Sequence, residues 1–103
     1  MEDVKVEIHN MILNNLHITY TPDDSTERRL KNEINAGIAY IKEYCDPDAD
    51  FTPGTRFGQM LCDYVLRAEA GALETFAKDF AEEITASKAE TDVKKYAEAM
   101  GYA

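Results

Sequence analysis

Long hydrophobic runs are missing from this chain: no apolar stretch approaches the roughly 20 residues that a membrane-spanning helix needs. Its first residues, Met-Glu-Asp-Val-Lys-Val-Glu, have neither the basic start nor the apolar centre of a secretory signal, so the product is expected to stay in the cytoplasm that makes it. Cysteine is sparse, and Cys45 and Cys62 form no Cys-x-x-Cys pair. Both fall on apolar helical faces and read as buried, reduced thiols. Basic residues are few, 11 Lys and Arg against 20 Asp and Glu, for a net charge of −9. A surface of that sign repels phosphate backbones, which disfavours a protein that grips a duplex. There is no internal repeat and no low-complexity tract.

Signatures of catalysis or metal binding are missing as well. Asp46, Asp48 and Asp50 share the opening spacing of a calcium loop. The glycine required at its sixth position is Phe51, however, and the bidentate Glu required at its twelfth is Phe57. His9 and His17 stand too far apart to chelate one ion together, and no His-Glu-x-x-His or Glu-x-x-His pattern supports them. Gly54-Thr55-Arg56-Phe57-Gly58 lacks the spacing and the lysine of a phosphate-binding loop and reads as a helix start. Glu82 and Glu83 are adjacent, about 100 degrees apart on a helix, and do not converge as an acid–base couple.

What the chain does contain is helical periodicity. The apolar and charged fractions, 45% and 30%, suit one globular domain of 103 residues. A first helix is predicted from Asp3 to about Leu16, with Val4, Ile8, Met11, Ile12 and Leu16 on one stripe. Pro22 keeps Ile18 to Thr21 extended, and Asp23 to Thr26 offer caps for a long second helix that ends at Cys45. Its Gly37 lies on the apolar side, where another helix can come close. Residues 46 to 54 read as an acidic, solvated loop. A third helix, capped by Thr55, carries Phe57, Met60, Leu61, Tyr64 and Val65 inward until Gly71 breaks it. A fourth is predicted from about Ala72 to Ser87 with Leu73, Phe76, Phe80 and Ile84 on its buried side.

The organisation expected is therefore all-α, a small bundle of about four helices over residues 1–87, followed by a tail, residues 88–103, with a short amphipathic segment. Arg67, a guanidinium among apolar neighbours, needs a partner: Asp63 and Glu74 are available, either within the fold or as part of an inter-subunit contact. In the tail Val93, Tyr96, Ala97 and Met100 recur on one side.

The order of these elements, with Ala39-Tyr40-Ile41-Lys42-Glu43-Tyr44-Cys45 ending the second helix and Asp63-Tyr64-Val65-Leu66-Arg67 leading to Gly71-Ala72-Leu73-Glu74-Thr75-Phe76-Ala77-Lys78-Asp79-Phe80, resembles the small helical head–tail connector proteins of tailed bacteriophages and prophages. The resemblance spans about residues 4 to 84 and is a diffuse pattern of apolar and aromatic positions. It implies a non-enzymatic head-completion protein without a cofactor, made in the bacterial host cytoplasm and incorporated at the head–tail interface of the virion. Its partners would be copies of itself, about a dozen in a closed ring, together with the portal protein and a tail or stopper protein. DNA would pass through the centre without specific binding, and acidic helix faces along such a channel would let it slide.

The segment bearing Tyr96, Met100 and Tyr102 is then the candidate for docking on a neighbour or on the portal, with packing back on its own domain, or fraying, as the alternative. A rival of a different class is a small acidic helical binding module: an antitoxin, an inhibitor or a DNA mimic. A helical hydrolase or metalloprotein built on His9 and His17 is a third.

Overall fold

The computed structural model describes residues 5–101; the expectations placed on Val4 and Tyr102 lie outside that range. The described chain is all-helical and contains no strand. Helix α1, Val6–Asn15, buries Ile8 and Ile12, one turn apart. It ends in a Schellman motif: His17 takes a left-handed φ of 59°, and the amides of His17 and Ile18 donate to the carbonyls of Asn14 and Leu13 at 3.1 and 2.9 Å. Leu13 and Ile18, the two ends of the 2.9 Å bond, both pack against the core.

Helix α2, Asp24–Tyr44, starts where Asp23 accepts a hydrogen bond from the Thr26 amide at 2.7 Å, so one of four adjacent cap candidates is selected. Helix α3, Arg56–Glu69, is capped by Thr55, whose hydroxyl oxygen accepts from the Gly58 amide at 3.1 Å. The two helices run antiparallel. Arg29, near the start of α2, donates to both carboxylate oxygens of Glu69 at the end of α3, at 3.1 and 2.9 Å.

Midway, Gly37 provides the close approach: a methyl group in its place would lie 2.7 Å from Leu61 Cδ1 and 2.8 Å from Tyr64 Cδ1. Around this seam Leu30, Ile34, Ile41, Met60, Leu61 and Val65 are completely or almost completely buried, and α1 lies against α3 to close the bundle. Removing such side chains from water is the main favourable term of the fold, about 1.5–3 kcal/mol for each fully buried residue.

The loop between α2 and α3 differs from the solvated turn expected of its composition. Phe51 is buried in the core and pins the loop's middle. Asp46 and Asp50 turn their carboxylates back on the backbone, accepting from the amides of Asp48 and Thr52 at 2.9 and 3.0 Å. Gly58 lets this loop lie close, since a Cβ there would meet the Thr52 carbonyl oxygen at 2.6 Å.

Gly71, with φ 69°, stops α3 in a second Schellman motif, with Ala72 N donating to Arg67 O at 2.9 Å. The single helix expected from Ala72 to Ser87 does not form. A 3₁₀ turn, Leu73–Thr75, leads into a four-residue helix α4, Phe76–Asp79, and the axis then breaks at Phe80, whose φ and ψ are −104° and 13°. Helix α5 runs unbroken from Ala81 to Ala99, so residue 87 lies inside a helix and the amphipathic segment is its outer half. Leu73, expected inside, is more than a third exposed, whereas Phe76 is buried and Phe80 and Ile84 pack at the core's edge.

The overhang of α5 makes the molecule long, 50 × 27 × 24 Å, with a radius of gyration of 15.0 Å. A compact chain of this length would have about 13 Å.

Candidate docking surface

Helix α5 is tied to the body along its first half only. Ile84, Ser87 and Thr91, spaced by three and four residues, form its inward face. The two hydroxyls on that face are satisfied by backbone. Ser87 Oγ donates to Glu83 O at 2.8 Å, and Thr91 Oγ1 donates to Cys45 O at 3.0 Å with Ser87 O also within reach at 2.9 Å. Arg56 adds an ion pair to Glu90 at 2.9 Å, exposed on both sides and worth little by itself.

Past Thr91 no described residue is fully buried. Val93 is 67% exposed, Tyr96 64% and Met100 53%, and all three are turned to one side of the helix. Tyr96 and Met100 thus occupy a free surface.

Arg67 sits elsewhere, at the corner between α3 and α4. Its Nη1 donates to Thr75 Oγ1 at 2.9 Å and to Asp79 Oδ2 at 2.5 Å, and its guanidinium lies 5.3 Å from the centre of the Phe80 ring. The partner is Asp79, not the Asp63 or Glu74 that sequence spacing suggested. The reason is the reversal at Gly71 and the 3₁₀ turn after it, which fold α4 back against α3 and bring Asp79 and the Phe80 ring to the guanidinium. Thr75 in turn donates to Ala72 O at 2.8 Å, so the corner is held side chain by side chain.

Beneath it the rings of Tyr40, Tyr64 and Phe76 meet edge-on or tilted, with centres 5.2 to 5.9 Å apart, and Phe80 stacks on Phe76 at 4.8 Å. Burial raises the pKa values of the Tyr40 and Tyr64 phenols, so both stay neutral. These contacts fix the point from which α5 departs.

His9 Nε2 donates to the Glu27 carboxylate, while His17 is placed by its left-handed backbone in the turn after α1. No three His, Cys, Asp or Glu side chains among the described residues are grouped so as to hold a metal ion. Cys45 and Cys62 are both buried and free, and burial, with a smaller effect from Asp63, raises the pKa of the Cys62 thiol. No helix of the described residues is long and apolar enough to cross a membrane.

One titratable cluster has a perturbed proton. Glu33 on α2 lies beside Glu69 on α3, and its pKa is pushed up to about 7. Burial is the largest cause, followed by a hydrogen bond with Glu69 and the charge of that carboxylate, against a smaller opposing pull from Arg29. Glu33 Oε2 is buried and finds no hydrogen-bond partner. Glu69, gripped by Arg29, is shifted down. Below about pH 7 Glu33 therefore holds a proton while Glu69 is ionised, at the seam of the two central helices.

Sequence reasoning passed over Ser87, Thr91, Glu33 and Glu69. The first two were within reach, because with Ile84 they trace one helical face. The acid pair was not, since Glu33 and Glu69 meet only through tertiary packing. Comparison with known protein families, with curated proteins and with solved structures finds no match to this chain.

Proposed function

We propose that the chain is a structural head–tail connector of a tailed bacteriophage or prophage. It would complete the head by forming a ring of copies between the portal and a tail or stopper protein, at the head–tail interface of the virion. The observation that supports this reading is the overhang of α5: a helix tied down as far as Thr91 projects Val93, Tyr96 and Met100 into solvent, at one end of a molecule 50 Å long. A closed ring needs two different complementary patches on each copy, and the overhang supplies one that is physically separate from the core. The net charge of −9 fits a subunit that surrounds DNA and repels it.

The test is the mass of the purified chain by light scattering, with and without a portal protein. Rings, or co-migration with the portal, support the connector. A chain that ignores the portal at every concentration overturns it. The same charge favours a second reading, an acidic module that occupies a basic partner protein; tight, salt-sensitive binding to such a protein with no ring would select it.

A further inference from the structure

Helix α5 is held to the body more lightly than α2 and α3 are held to each other, and a single residue sets its direction. The α2–α3 seam rests on Leu30, Ile34, Ile41, Met60, Leu61 and Val65, all buried. The inward face of α5 offers one aliphatic side chain, Ile84, and two hydroxyls. Ser87 Oγ serves carbonyls of its own helix, so of the two only Thr91 bonds across to the body, at Cys45 O. The Arg56–Glu90 pair also crosses, exposed on both sides. A cavity of about 150 Å³, bordered by Asp46, Phe57 and Lys94 as well as by the groups just named, lies between helix and body, with room for several waters. Few contacts, most of them polar, are what an element that can detach presents.

The joint has a second conformation within easy reach. The last bond of α4 runs from Phe80 N to Phe76 O at 3.0 Å, and the first of α5 from Ile84 N to Phe80 O at 2.8 Å. The bonds that would join the two helices, from the amides of Ala81, Glu82 and Glu83 to the carbonyls of Ala77, Lys78 and Asp79, are those that a bend at Phe80 forgoes. Straightened, residues 76–99 become one helix with Phe76, Phe80 and Ile84 on one face. Thr75 and Asp79, which hold Arg67, precede the joint, so the corner keeps these bonds. What straightening gives up is the contact of α5 with its own body.

We propose that a second copy restores that contact: α5 of one chain leaves its own body at Phe80 and docks on the body of another, Thr91 on the Cys45 carbonyl and Glu90 on Arg56, in an exchange of identical elements. A second copy is the occupant because the surface beside Cys45 and Arg56 is already filled by this same helix within the chain. No new contact is needed, and each straight joint adds the three backbone bonds named above. A hinge one residue long favours exchange, since α5 reaches its own body only through the bend. Exchange is independent of the connector reading: it concerns how copies join, whatever the assembly carries.

Sedimentation equilibrium of the full chain, refolded at about 10 μM to about 1 mM, tests it. The expected result is association that rises with concentration. In a mixture of isotope-labelled and unlabelled chains, the methyl groups of Ile84 and Thr91 in the associated fraction show NMR contacts from one chain to another. Inserting Gly-Ser-Gly-Ser between Phe80 and Ala81 lets α5 return to its own body without the bend and weakens association about tenfold or more. Thr91→Val weakens the same contact in both forms, so it lowers the melting temperature and leaves the association constant nearly unchanged. The insertion alters no residue of the body, and circular dichroism should show its helices intact.

A monomer throughout the range overturns the exchange, as does an associated form in which Ile84 and Thr91 touch only their own chain, or one indifferent to the insertion. A chain that joins a portal yet never exchanges α5 when free sinks the exchange and leaves the connector standing. Exchange in a chain that ignores the portal does the reverse.

Discussion

Thr91 Oγ1 and the carbonyl oxygen of Cys45 lie 3.0 Å apart across 46 positions of sequence, and this bond joins α5 to the end of α2. The carbonyl it serves belongs to the residue that closes α2, where helix carbonyls run out of intrahelical donors. Thr91→Val keeps the shape and leaves that carbonyl without its donor. Urea denaturation should show a loss of about 1–2 kcal/mol. Amide exchange should speed up throughout α5, because the same bond limits opening of the whole helix.

Gly37→Ala sets two effects against each other. Alanine favours a helix over glycine by about 1 kcal/mol. The added methyl would press on Leu61 and Tyr64 at under 3 Å, and forcing a methyl group into a packed seam costs about 1–3 kcal/mol. The seam should win, giving a net loss in urea melts. Gly54→Ala is the contrasting variant: its Cβ would meet nothing within 4 Å, so only the strain of φ 86° opposes it.

The acid pair makes stability depend on pH in a fixed direction. Glu33 has a folded-state pKa of about 7 against an ordinary 4.5, so the folded chain holds this proton more tightly than the unfolded one. Its contribution is complete below about pH 4.5 and is lost as the pH rises to about 7, after which it is flat. Glu69, shifted down by Arg29, works in the opposite direction at lower pH. Glu33→Gln keeps a neutral group in place. Thermal melts should show it more stable than the parent at about pH 8, with the difference shrinking toward pH 5. Equal gains at both pH values would disprove the proton held by Glu33.

Arg67→Met retains much of the aliphatic stem and removes the bonds to Thr75 and Asp79. The pair is half exposed at Asp79, so the expected loss is modest, about 1 kcal/mol. Phe76→Ala removes the ring on which the corner is built and should cost about 3–5 kcal/mol. If Arg67→Met abolished assembly while its melting matched that of the parent, the residue would be an inter-subunit contact after all.

The three leading helices were legible because their apolar residues keep a strict period, and α2 and α3 carry Asp23, Thr55 and Gly71 at their ends, residues whose side chain or freedom of φ starts or stops a helix. Gly37 could be read as a point of close approach because it sits on the apolar stripe. Past Gly71 periodicity misleads. Leu73, Phe76, Phe80 and Ile84 fit one helical face on paper, yet Arg67 and the ring cluster bend the chain at Phe80. A one-residue bend leaves no trace in spacing. The length of α5 was hidden for another reason: its outer half is rich in Ala, Lys and Glu, good helix formers with little to bury, so a reading keyed to apolar stripes saw a tail. Of the candidate surface, Tyr96 and Met100 were visible in sequence as an amphipathic pair, whereas their exposure depends on where Thr91 ties the helix down.

That tether separates two properties that most small domains confound. Side chains before Thr91 on the inward face of α5 are tied to the body, whereas Val93, Tyr96 and Met100 are more than half exposed and contribute less to folding. Substitutions at these three positions should therefore disturb the fold less than substitutions at Ile84, Ser87 or Thr91, so that any effect on association would stand out in a melting control. In such a fold a change of surface chemistry and a change of stability can be made at different positions of one helix.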